Sequence, residues 1–143
     1  MIKKLLFLVL ATSIYLPLVS QTIVSNKNDC IQNFTFEAKT VNGTNPRVDD
    51  IIISWDFSKT LNKENLLLVI EVQPLNSCWN GLDGTNRSPL KNYKITNLFQ
   101  KNTGILKLEY SDLNCKCIKW KAKITNSITN CEAKTNWQFI SFL

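Results

Sequence analysis

From residue 30 onward apolar and polar residues alternate along the chain, which is the period of a half-buried strand and not of an amphipathic helix. Phe34, Phe36 and Ala38 alternate with Thr35 and Glu37. A turn-rich stretch from Asn42 to Pro46 then leads to Ile51, Ile53, Trp55 and Phe57 on one face. Leu66 to Val72 is apolar on both faces at its start, as in a strand at the middle of a sheet, and Pro74 ends it. Tyr93 and Ile95, then Leu106, Leu108 and Tyr110, then Ile118, Trp120, Ala122 and Ile124 mark three more alternating runs, and a last one extends from Ala133 to Phe142. About seven short strands separated by turn signals predict an all-β chain folded as one antiparallel two-sheet sandwich over residues 30–143. Trp55, Trp120 and Trp137 fall in phase with aliphatic neighbours, so all three are expected in the core, with Trp55 facing Trp120 between the sheets.

Ahead of this pattern, Lys3 and Lys4 precede the apolar run Leu5 to Ala11, and small residues follow at Ser13 and Ser20. That is the order of a secretory signal peptide over residues 1–20. The run is interrupted by Thr12, Ser13 and Pro17 and falls short of the roughly 20 apolar residues a membrane span needs. A secreted or periplasmic protein with no transmembrane segment in the mature chain is therefore expected, with residues 21–29 as a short N-terminal extension. The chain of 143 residues carries a net charge of +6, and two of those charges leave with the leader. So mild a basic balance predicts no nucleic-acid partner. There is no histidine, which removes Ser-His-Asp and Cys-His catalysis and every imidazole metal ligand. Neither a metal nor another cofactor is expected.

Three segments resemble the fibronectin type III and immunoglobulin-like modules. Ile51-Ile52-Ile53-Ser54-Trp55-Asp56 is similar to the family's second strand, whose tryptophan packs between the sheets. Tyr93-Lys94-Ile95-Thr96-Asn97-Leu98 is similar to its Tyr-x-Ile-x-x-Leu strand, and Ile118 to Asn126 looks like its later strand ending in asparagine. The family's tyrosine at the start of that later strand is replaced by Ile118, and strand 51–57 lacks the cysteine of an immunoglobulin bridge. The resemblance implies an immunoglobulin-like fold and a binding, adhesion or spacer role without catalytic residues.

All five cysteines, Cys30, Cys78, Cys115, Cys117 and Cys131, follow the leader, where an oxidising compartment favours disulfides. The one-residue spacing of Cys115 and Cys117 does not suit a zinc knuckle. In the implied sandwich the strands at 66–73 and 117–124 run antiparallel side by side, which brings Cys78 near Cys115 and Cys117. Cys30 and Cys131 then share the opposite pole. The expectation is a Cys30–Cys131 bridge and a second from Cys78 to either Cys115 or Cys117, leaving the other thiol free and relatively exposed.

Candidate binding chemistry is sparse. Lys119, Lys121 and Lys123 share one face of a strand and form a basic stripe suited to an anionic surface. Trp79 stands beside the loop 80–89, which holds Asp83 and Asn86 and is dense in turn residues, and an exposed aromatic next to amides suits sugar stacking. The carboxylates Asp49, Asp50, Asp56, Glu71 and Asp83 form no recognisable acid–base pair. The leading expectation is a non-catalytic binding module for an extracellular or periplasmic protein or glycan. A carbohydrate-binding module and a small carboxylate-based hydrolase are the alternatives.

Overall fold

Alternation becomes strand throughout the computed structural model, which describes residues 21–24, 30–43 and 45–143. The leader expected over 1–20 lies outside the described residues. Nine strands are present among those described: β1 (Gln21–Val24), β2 (Thr35–Asn42), β3 (Asp49–Asp56), β4 (Leu66–Pro74), β5 (Lys91–Ile95), β6 (Thr103–Leu108), β7 (Cys117–Asn126), β8 (Glu132–Lys134) and β9 (Gln138–Ser141). One sheet has the order β1-β2-β3-β6, the other β5-β4-β7-β8 with β9 also on β7, and every pairing is antiparallel. The protein is an all-β two-sheet sandwich. β1 lies in the segment read from sequence as an N-terminal extension, and it adds an edge to the first sheet by pairing with Thr35–Ala38.

The inward residues of each strand fill the space between the sheets. Phe36, Ile51, Ile53, Phe57, Leu68, Ile70, Ile118, Trp120, Ile124 and Phe142 are fully buried there. Phe36 meets Phe57 and Trp120 edge-on, with ring centroids 5.8 and 6.5 Å apart. Trp55, 7% exposed, leans across its own sheet instead of toward Trp120. Its ring covers Gly104, its register partner on β6, so closely that a Cβ at 104 would overlap it. The indole N–H then donates to the Lys101 carbonyl at 3.0 Å.

Asparagine does the work at the reversals. Asn33, Asn62, Asn97, Asn114 and Asn130 all take positive φ, a left-handed conformation that asparagine reaches more readily than most residues. Tyr110, expected to extend a strand, instead opens the short helix α1 (Tyr110–Leu113), and its ring packs edge-on against Phe142 at 5.9 Å. The buried Asp50 explains the break. One of its oxygens accepts the Tyr110 N–H and the other pairs with Lys107 at 3.0 Å, so a carboxylate stands where β6 would otherwise continue.

Both disulfides join the expected poles. Cys30 pairs with Cys131 and Cys78 with Cys117, with Cα separations of 6.3 and 5.7 Å. Cys115 is the free thiol, but it is 2% exposed, which corrects the expectation of an accessible one. The helix α1 ends at Asn114 in a left-handed turn that carries Cys115 inward, into the same cluster as Leu113 and Ile118. Burial pushes its thiol pKa up and disfavours the reactive thiolate.

Two outcomes are expected. Gly104→Ala should destabilise the protein by about 1–3 kcal/mol, and Trp55→Ala by about 3–5 kcal/mol, in denaturant titrations. A thiol reagent at neutral pH should leave Cys115 unlabelled in the folded protein and modify it only once denaturant has opened the core, as read by intact mass.

Candidate functional site

The last strand is where sequence and structure part. Ala133 and Thr135 point inward, so unbroken alternation would bury Trp137 as well. Instead β8 and β9 pair with β7 in registers that differ by one residue. β8 sets Lys123 opposite Lys134, whereas β9 sets Trp120 opposite Gln138. Continued toward each other, the two registers place both Asn136 and Trp137 opposite Lys121, which is a β-bulge. Alternation restarts in the other phase beyond it, so Ile140 and Phe142 are buried while Trp137 and Phe139 stand on the outer face, each partly exposed. Trp137 is therefore not a core residue.

Thr135 holds the bulge. Its backbone N–H donates to the Ala122 carbonyl at 2.9 Å, as a ladder requires. The return bond from the Ala122 N–H goes to the Thr135 hydroxyl, also at 2.9 Å, instead of to a backbone carbonyl. The side chain thus satisfies a buried donor that the extra residue would have orphaned.

Turned outward, Trp137 meets the lysines of β7. The Lys121 ammonium lies 4.6 Å from its ring centroid and that of Lys119 lies 5.6 Å away. Lys119 also donates to the Leu82 carbonyl at 3.2 Å and so links the ring to the loop after β4. That loop folds over the upper end of the same sheet face. Gln73 donates to the carbonyls of Ser88 and Pro74 at 2.7 and 3.1 Å, and the Cys78–Cys117 bridge fastens the loop to β7. Trp79, next to that bridge, is 94% exposed. The face therefore carries Trp137, Lys119 and Lys121, and the loop that bears the exposed Trp79 is fastened across its end.

The lysine stripe is largely neutralised. Lys121 pairs with Glu71 across the β4–β7 ladder at 3.1 Å, and Lys123 pairs with Glu132 at 2.6 Å. Glu132 also pairs with Lys134, and hydrogen bonds from the two lysines hold its carboxyl below the usual range. A depressed carboxylate keeps its pairing above that range and loses it as pH falls through its own pKa, so the face becomes more cationic only in acid. Asp83 and Asn86 are exposed loop residues, and Asn86 is drawn into the loop by its carbonyl, which accepts from Asn76. Among the described residues no cluster of three histidine, cysteine or carboxylate side chains is placed to hold a metal. Of the carboxylates weighed for acid–base chemistry, Asp50 is tied to Lys107, Glu71 to Lys121, and Asp56 to the Ser58 N–H at 2.7 Å.

Thr135→Val removes the hydroxyl while keeping the shape and leaves the Ala122 N–H buried without a partner. It should destabilise by about 1–3 kcal/mol and shift the tryptophan emission as Trp137 is released, whereas Thr135→Ser, which keeps the hydroxyl, should do neither to that extent. Compared with known proteins, the chain matches no family model, no curated protein and no solved structure.

Proposed function

We propose that the protein is an exported, non-catalytic binding module whose recognition face is the outer face of the five-stranded sheet around Trp137. The observation that carries this reading is the bulge. It sacrifices regular pairing, and with it a buried position for a large aromatic ring, in order to set Trp137 beside two lysines on the surface. Bulges that re-aim a side chain recur next to functional sites. The strand order supports kinship with fibronectin type III and immunoglobulin-like modules: β2, β3 and β6 share one sheet, while β4, β7 and β9 share the other, with β5 at its edge. Export is supported by the leader pattern and by two disulfides.

A second, narrower reading has the ligand as a glycan stacking on Trp79, favoured by the near-complete exposure of that ring. The pairing of Lys121 and Lys123 with carboxylates weighs against a mainly electrostatic mode at neutral pH.

A glycan array and a panel of exported proteins, probed with the protein and with Trp137→Ala and Trp79→Ala variants, test both readings. Loss of binding in Trp137→Ala supports the proposed face, and loss confined to Trp79→Ala supports the glycan reading. A ligand whose binding survives both substitutions overturns the assignment of this face. Trp79→Ala should leave stability within about 0.5 kcal/mol of the parent, so any loss it causes is a loss of contact.

A further inference from the structure

The sandwich ends in several sheet edges, and they are not equally protected. The β8–β9 edge is broken by the bulge, β5 begins just after Pro89 and carries Lys91 and Lys94, and β1 spans only four residues. β6 is different. It pairs with β3 alone, is six residues long, and contains no proline or bulge. Its single charge, Lys107, is drawn aside by Asp50 and Glu109 at 3.0 and 3.2 Å. Charged side chains and prolines are the usual guards against strand addition at an edge, and here both are missing or withdrawn.

The register shows which backbone groups are open. The Phe57 N–H donates to the Asn102 carbonyl at 2.6 Å, and these residues continue the β3–β6 register by one step. Antiparallel pairs alternate between bonded and non-bonded, so Trp55–Gly104, Ile53–Leu106 and Ile51–Leu108 are the bonded pairs. The N–H and C=O groups of Thr103, Ile105 and Lys107 therefore point away from β3. Ile105 on this edge is 62% exposed.

Beside the edge runs a cleft of about 350 Å³ between β6 and β5, with Trp55, Ile95 and Gly104 in its wall and Lys94 and Lys101 at its side. Neither ammonium forms an ion pair among the described residues. A strand laid along β6 would project alternate side chains toward this cleft, where an apolar stem with a carboxylate end meets both the wall and the lysines.

We infer that the free edge of β6 takes an extended, acidic segment of another protein as an added strand, held by the backbone of Thr103, Ile105 and Lys107 and selected by Lys94 and Lys101. This surface is independent of the outer face around Trp137.

The test is amide hydrogen exchange on the 15N-labelled protein with a short capped peptide of alternating valine and glutamate, and with its valine–lysine counterpart. The acidic peptide should slow exchange at Thr103, Ile105 and Lys107, and the basic one should not. Ile105→Pro deletes an N–H that β3 does not use and should weaken peptide binding by about tenfold or more, the worth of a lost hydrogen bond. Should that variant unfold, the exposed Lys94→Glu/Lys101→Glu pair serves instead and should reverse the preference between the peptides. No slowing at millimolar peptide, equal slowing by both peptides, slowing confined to another edge, or concentration-dependent slowing with no peptide present would each overturn the inference, the last pointing to a second copy.

Discussion

The ladder between β4 and β7 is the constraint on which the rest depends. It pairs Leu66 with Asn126 at one end and Pro74 with Ile118 at the other, without interruption. Because side chains alternate, that register decides at once which residues of both strands are core and which are surface. It places Leu68, Ile70 and Val72 beside Ile124, Ala122 and Trp120 inside, and Glu71 beside Lys121 outside. It also delivers Cys78, just past the end of β4, to Cys117 at the start of β7. A slip of one residue would turn every one of these relations over.

The features legible in the sequence are those that follow from period and from chain order. Alternation marks the core of β2, β3, β4 and β7, and antiparallel adjacency of two strands brings Cys78 to the Cys115–Cys117 pair without saying which of the two it bridges; the structure assigns Cys117. What stayed hidden involves a departure from period. The final run read as one strand because nothing in Glu132-Ala133-Lys134-Thr135-Asn136-Trp137 announces an inserted residue; a buried threonine followed by asparagine was the only trace, and it is an ordinary pair of residues. The period alone accordingly predicts Trp137 inward. The burial of Cys115 is hidden for a related reason. Its exposure depends on a left-handed turn at Asn114, which a residue that merely tolerates that conformation does not announce.

Charge on the five-stranded face has a similar lesson. Three lysines at alternate positions describe a stripe only while β7 is considered alone. Glu71 comes from β4 and Glu132 from the start of β8, so the neutralising partners are distant in sequence and adjacent across the ladder. Lys119, free of either carboxylate, contributes by bonding to a loop carbonyl and lying over an aromatic ring. The face is thus better described by its rings and carbonyls than by its formal charge.

The Cys30–Cys131 bridge has a mechanical consequence. It closes a sequence separation of 101 residues and leaves β1 on one side of the closure and β8 and β9 on the other. Tension applied between the ends of the chain would travel through the bridge and bypass everything between, so β2 to β7 would bear no load. Only the segments outside could lengthen, and the first connections to yield would be those of β1 on β2 and of β8 and β9 on β7. Pulling would therefore peel away Trp137 and dismantle the aromatic face before any strand inside the closure was loaded, making that face the force-sensitive part of the domain.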